Sequence, residues 1–287
     1  DNISHDWLKA HIPMDASILN QFLKAGFVFE GQLFPTEKGT PQGGNLSPIL
    51  ANMILDGIES LLASTFPKMK VNLIRYADDM IVTAATKEVA EEIKIVIQKF
   101  LSERGLQLSE KKTCITHIEE GFSFLGWNFR KYNGVLITKP SKKSILRITE
   151  KIREVVRKAK AWSQQQLIAT LNPIIVGWTN YHKHVVSKEV FTRMDYVIWG
   201  MLWHWAKRRH GNKGYKWIAQ KYWHKEGSRN WVFETNKNQL MLFSGVKIRR
   251  HPRIRLDANP YLHQEYFFNR RIFLEKNESG AQTKLSF

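Results

Sequence analysis

Val71-Asn72-Leu73-Ile74-Arg75-Tyr76-Ala77-Asp78-Asp79-Met80-Ile81-Val82-Thr83 decides how this chain is read. Two β-rich runs, 71–76 and 80–83, are separated by little more than Ala77-Asp78-Asp79, the pattern of a tight hairpin with acids at its tip. Two adjacent carboxylates at such a turn cannot both be hidden, and a divalent cation relieves their repulsion, with Mg²⁺ the natural occupant. Ala77 is small and leaves room beside them, while the apolar strands fix the turn. A bare Asp-Asp pair is also an ordinary solvated turn, so the flanking sequence has to decide.

On the N-terminal side lies Gly39-Thr40-Pro41-Gln42-Gly43-Gly44-Asn45-Leu46-Ser47-Pro48. Glycines at 43 and 44 let backbone approach a ligand, Gln42 can hydrogen-bond a base or sugar, and a helix N-terminus at Ser47-Pro48 favours negative charge. The apolar spacing of Ile49, Leu50, Met53, Ile54, Ile58 and Leu61 predicts one buried helix to about Ser64. On the C-terminal side, 86–104 reads as an amphipathic helix stopped by Gly105, with Val89, Ile93, Val96, Ile97, Phe100 and Leu101 on one face. Short strands are expected near 106–108, 113–117, 122–129 and 135–138. After Pro140-Ser141 three helices are expected at 142–161, 164–183 and 188–210, followed by an irregular basic module with strands at 231–233 and 239–243 and a frayed tail after Arg271.

Charge divides the chain unevenly. Residues 1–140 hold 15 Lys and Arg against 16 Asp and Glu, while the remaining 147 residues hold 29 against 10, so the whole excess of +18 lies in the second half. Eight of the ten tryptophans, Trp162 to Trp231, lie there too, mixed with cations such as Lys207, Arg208 and Arg209. That balance suits a phosphate backbone better than a small acidic substrate, although tryptophans in helices mostly pack in a core. The single cysteine, Cys114, excludes an internal disulfide and a Cys-x-x-Cys zinc site, so a metal would be held by oxygen. No run of 18 apolar residues occurs, and a soluble, cytoplasmic protein, nucleoid-associated in a bacterium or organellar in a eukaryote, is expected with no membrane partner.

Taken in order, these motifs resemble those of group II intron reverse transcriptases and maturases. Asp1-Asn2-Ile3-Ser4-His5 resembles the end of that family's first palm motif. Thr40-Pro41-Gln42-Gly43-Gly44 with Ser47-Pro48 and Asn52 resembles the second, and Tyr76-Ala77-Asp78-Asp79 the third. Glu110 to Thr113 resembles a Glu-Lys-Thr element, Phe124-Leu125-Gly126-Trp127 the primer-grip turn, and Asn172 to Tyr181 the signature of the thumb, or domain X. Ile248-Arg249-Arg250-His251, with Asp257 to Tyr261 and Tyr266-Phe267, resembles the DNA-binding region beyond.

The resemblance implies an α+β fold. A partial polymerase palm, an antiparallel sheet with covering helices at 1–140, is followed by a helical thumb bundle at 141–232 and a small basic DNA-binding module at 233–287. It implies an RNA-directed DNA polymerase and splicing maturase that acts on group II intron RNA, target DNA and dNTPs. Two Mg²⁺ ions would be held by Asp78 and Asp79 and used for in-line nucleotidyl transfer. Lys112 would meet the leaving pyrophosphate, with Lys111 the competing choice and a solubilising lysine the bland one. Gln42, Gly43 and Gly44 would line the nucleotide and Phe124, Leu125, Gly126 and Trp127 the primer end, although these last read equally as core β residues. Lys207, Arg208, Arg209, Arg249, Arg250, His251 and Arg253 would hold nucleic acid.

The family's remaining metal-binding aspartate and its fingers precede the Asp-Asn-Ile segment. A fingers and palm segment, in cis or as a separate chain, is therefore expected to complete the site, and residues 1–287 alone to be inactive. A Cys-rich nuclease of the kind that often ends the family is not expected within this chain. A non-catalytic maturase that only stabilises intron RNA is the competing reading.

Overall fold

The structure, a computed structural model, describes residues 3–34, 39, 46–227, 229–249, 254–255 and 258–278. It is mixed helix and sheet, and the chain divides into two compact units, 1–124 with 129–135, and 125–128 with 136–287.

In the first unit, α1 (His5–His11) starts where Ser4 Oγ accepts the Trp7 amide, and α2 (Ala16–Lys24) where Asp15 Oδ1 accepts the Ser17 and Ile18 amides. Strands β1 (Phe27–Phe29) and β2 (Gln32–Phe34) pair antiparallel. The single helix expected up to Ser64 is two, α3 (Ser47–Ile54) and α4 (Ile58–Thr65). The break falls at Gly57, whose φ of 90° is left-handed and incompatible with a continuing helix. Strands β3 (Asn72–Tyr76) and β4 (Asp79–Thr83) follow, then α5 (Lys87–Ser102), capped by Thr86 and ended near left-handed Gly105.

Of the apolar face expected on α5, Ile93, Ile97, Phe100 and Leu101 are buried and Val89 and Val96 half-buried. They share a core with Leu8, Leu19, Leu23, Ile54, Ile58 and Leu62, and Leu73, Met80 and Val82 of the hairpin pack against it.

The strands expected at 106–108 and 113–117 do not form. Leu106 donates its amide back to Leu101 O, and Leu106 and Leu108 rest against the core. The Ser109 carbonyl accepts the amides of both Lys112 (3.0 Å) and Thr113 (2.8 Å), so the backbone is spent on a turn. The strand expected at 122–129 is split into β5 (Phe122–Phe124) and β6 (Trp127–Tyr132) by Leu125 and Gly126, at φ 47° and 81°. The turn before β7 (Val135–Pro140) has Asn133 and Gly134 both left-handed.

The three helices expected in the second unit are α6 (Lys142–Lys158), α7 (Gln164–His182) and α8 (Lys188–Arg209). Ser141 caps α6, and Ser163 forms a capping box with Gln166 on α7. Ile148, Ile152, Leu167, Leu171, Ile175, Phe191, Met194, Ile198 and Leu202 make one core. Helix α9 (Tyr215–Tyr222) leads into an antiparallel pair, β8 (Trp223–Glu226) and β9 (Arg229–Phe233), and Phe233, Leu240 and Phe243 join that same core.

The strand expected at 239–243 is reduced to a single bridge, Glu234 to Gln239, because the Asn172 side chain takes its place as partner. That amide accepts from Met241 N (2.8 Å) and donates to Gln239 O (2.9 Å). Both carboxylate oxygens of Asp195 then accept the amides of Phe243 and Ser244. Beyond Arg271, where fraying was expected, α10 (Gln264–Glu278) continues as helix. Among the described residues no helix is long and apolar enough to cross a membrane.

Candidate active site and nucleic-acid surfaces

The register of β3 and β4 pairs Asn72 with Thr83, Ile74 with Ile81 and Tyr76 with Asp79, leaving Ala77-Asp78 as a two-residue loop. Alternation does the positioning. Leu73 and Val82 turn to the core of the first unit, while Ile74 and Tyr76 are 53 % and 66 % exposed, so the tip stands out in solvent. Ala77 adopts φ 54°, a conformation that costs an L-residue about 1–2 kcal/mol. The strain is held by Arg75, whose Nη1 donates to Ala77 O (3.2 Å) and to Asn52 Oδ1 on α3 (2.9 Å).

Asp78 and Asp79 are both exposed, and neither carboxylate has a hydrogen-bond or ion-pair partner among the described residues. Two free, hard carboxylates side by side fit Mg²⁺, which is commonly held through one or two carboxylates while keeping several waters. Among the described residues no three His, Cys, Asp or Glu side chains converge on one point. Lys111 and Lys112 are both exposed on the turn closed by Ser109, and the backbone does not favour one over the other. Gln42, Gly43 and Gly44 lie outside the described residues.

Leu125 to Trp127 are built into the second unit. Tyr181 Oη donates to Leu125 O (2.6 Å), Ser141 N donates to Gly126 O (2.9 Å), and the Trp127 ring stacks on Tyr181 at 4.9 Å. The Trp127 indole donates to His182 Nδ1 (3.0 Å), and Ser144 Oγ, 3.1 Å from His182 Nε2, also accepts the Trp178 indole N–H. His182 is fully buried, and burial lowers its pKa to about 4. Sequence reading missed His182, Ser144 and Arg75. Their partners lie 23 to 55 residues away, and no spacing rule reaches that far.

Of the basic candidates, Lys207, Arg208 and Arg209 form the last turn of α8, where cations also complement the helix dipole. Arg209 is committed: it donates to Lys160 O (2.8 Å) and lies over the Trp205 ring. Lys207 and Arg208 are exposed. The neighbouring His210 has its pKa lowered by desolvation and by the cations Lys221, Arg209 and Lys213. Arg249 is exposed, its amide donating to Lys183 O and its carbonyl 2.7 Å from His184 Nδ1, while Arg250, His251 and Arg253 lie outside the described residues. The tryptophans follow the packing alternative in part. Trp205 and Trp223 are buried, whereas Trp231 is 53 % exposed beside Trp199 and Trp203.

Residues 1–129 match the family described as reverse transcriptase (RNA-dependent DNA polymerase), and residues 145–223 match the group II intron, maturase-specific domain. The group II intron-encoded protein LtrA of Lactococcus lactis subsp. cremoris is 26 % identical over 199 residues, covering 45 % of this chain and 33 % of its own. The maturase-like protein 1 of Euglena longa is 27 % identical over 144 residues, covering 49 % of this chain and 29 % of its own. An uncharacterized 91 kDa protein in a cob intron of Schizosaccharomyces pombe is 24 % identical over 286 residues, covering 69 % and 35 %. The chain thus spans about a third of the length of the curated relatives it matches. With a reverse transcriptase segment followed by a maturase-specific one, the chain belongs to the group II intron reverse transcriptase and maturase family.

Proposed function

We propose that the polypeptide carrying this chain is an RNA-directed DNA polymerase and splicing maturase that binds intron RNA and target DNA and extends a primer by two-metal nucleotidyl transfer. The observation that carries this reading is the pair Asp78 and Asp79, without a partner among the described residues at the tip of a hairpin anchored through Arg75 to Asn52. A surface built only to hold a polyanion gains nothing from two bare carboxylates, because they repel phosphate. Bound Mg²⁺ would supply charge neutralisation and activation of the attacking hydroxyl. Asp78 and Asp79 would hold it, Lys112 would meet the departing pyrophosphate, and Gln42, Gly43 and Gly44 would border the nucleotide. Phe124 to Trp127 would support the primer end. Lys207, Arg208, Arg249, Arg250, His251 and Arg253 would grip phosphates, with Arg209 held beside them on Lys160 O and the Trp205 ring.

A maturase that only stabilises intron RNA is the second reading, favoured by the concentration of the entire net positive charge after residue 140. Asp79→Asn in the complete polypeptide separates the two. Loss of primer extension with intron splicing retained supports both activities, and extension that survives the change removes the catalytic assignment.

A further inference from the structure

Trp127, His182, Ser144 and Trp178 form one chain of hydrogen bonds whose proton positions are fixed by chemistry. An indole nitrogen only donates, so the Trp127 N–H requires a lone pair on His182 Nδ1. The ring proton therefore sits on Nε2 and is donated to Ser144 Oγ at 3.1 Å, whose other lone pair accepts the Trp178 indole at 3.1 Å. A doubly protonated ring would set one N–H against another. His182 is thus a buried acceptor and donor in one rigid plane, its ring 4.3 Å from that of Trp178.

The geometry around the turn is over-determined. Its three residues are held by the Tyr181 hydroxyl on Leu125 O, by the Ser141 amide on Gly126 O and by His182 on the Trp127 indole. Leu125 is left-handed at φ 47°, a cost that a loosely held turn would shed. A β-strand core residue needs none of these ties. Trp127 could pack on Tyr181 without aiming its N–H at a tautomer-locked histidine.

We propose that His182 is a positioning residue for primer binding: with Ser144 and Tyr181 it ties the Leu125–Trp127 turn to α6 and α7, giving the primer 3′ end a rigid shelf. The inference rests on the polymerase reading, since it is a primer end that the shelf would support. His182 itself touches no substrate.

The test uses the complete polypeptide with His182→Leu, His182→Gln and Trp127→Phe, and two readouts: primer extension, and the preference for a recessed 3′ end over a blunt duplex in binding. His182→Leu and Trp127→Phe are each expected to lower extension on the order of tenfold and to erase the end preference, with KM for dNTP unchanged. His182→Gln, whose amide offers one acceptor and one donor, is expected to recover most of both. The Trp127→Phe and His182→Leu double variant should be no worse than either single one, because both break the same bond. Should His182→Leu fail to fold, Trp127→Phe carries the test, since it removes the N–H but keeps an aromatic ring to stack on Tyr181.

Folded variants that extend normally and keep the end preference would overturn the inference, as would additive losses in the double variant. If the wild type prefers recessed ends yet does not extend, and the variants lose that preference, the inference stands and the catalytic reading falls. A wild type that neither extends nor prefers recessed ends removes both.

Discussion

Arg75 Nη1 donates at once to Asn52 Oδ1, 2.9 Å away on α3, and to the carbonyl of Ala77 beside the two acids. A charged donor shared by a helix and a strained loop makes the pair a brace for the hairpin tip. Replacing Asn52 with Ala removes one anchor while leaving Asp78 and Asp79 in place. The bond is solvent-exposed, so the expected stability loss is about 0.5–1 kcal/mol, whereas primer extension should fall several-fold more than that loss explains. Extension assays alongside thermal melts check this, and equal small effects on both would make Asn52 a simple surface contact.

Ala77 offers the complementary change. At φ 54° glycine avoids a penalty of about 1–2 kcal/mol but brings back about 0.5–1 kcal/mol of chain entropy, so Ala77→Gly should raise the melting temperature slightly. A β-branched residue has no comfortable left-handed conformation, and Ala77→Val should destabilise. Paired melts of the two variants decide it. If glycine loses stability as valine does, the hairpin does not hold this loop conformation in solution.

The acids bear on metal and stability together. With no cation bound, Asp78 and Asp79 repel each other, so Asp79→Asn should leave the melting temperature unchanged or slightly higher. Mg²⁺ should stabilise the wild type in a concentration-dependent way and the Asp79→Asn variant less. An equal response of both proteins to Mg²⁺ would place the ion elsewhere.

Much of this was readable in the residues, and what was not has a common physical cause. Local signals worked. The short spacing between the two β-rich runs predicted the hairpin, although Asp79 falls inside β4, and the helices expected to begin near 86, 142, 164 and 188 begin at Lys87, Lys142, Gln164 and Lys188. Long-range substitution of one backbone partner by a side chain did not show. Asn172 answers the amide of Met241 and dissolves an expected strand, and Gly57 cuts an apolar helix pattern that periodicity alone reads as continuous. At the candidate site, Asp78 and Asp79 were legible because a turn is local. The braces Arg75–Asn52 and His182–Trp127 were not, because each is a tertiary pairing of residues with no sequence relation.

His182 predicts a pH dependence of stability. Its folded pKa is lowered by burial from 6.5 to about 4, so between those values the unfolded chain binds a proton that the folded chain does not. Stability therefore rises with pH across that window, is complete above about pH 6.5 and is lost as pH falls toward 4, by on the order of 3 kcal/mol. Urea melts of the wild type and His182→Gln from pH 4 to 7 test this. The variant should show a flatter profile, and parallel profiles would mean that the ring is protonated in the folded state.

The basic turn of α8 gives a prediction in which structure separates three neighbours that look alike in sequence. Arg209 is tied to Lys160 O and stacked on Trp205, so Arg209→Gln should cost stability, about 1 kcal/mol for the lost charged hydrogen bond and ring contact, with a minor effect on binding. Lys207 and Arg208 are exposed and free to meet phosphate, so their replacement by Gln should leave the melting temperature unchanged and weaken RNA binding. Each cation removed from a phosphate contact should reduce the slope of log K against log salt by roughly 0.7–0.9. Filter binding across a salt series, set beside thermal melts, reads both quantities. An unchanged slope for Lys207→Gln with Arg208→Gln would leave these two cations as complements of the helix dipole, and would move the phosphate grip of this half of the chain to other residues.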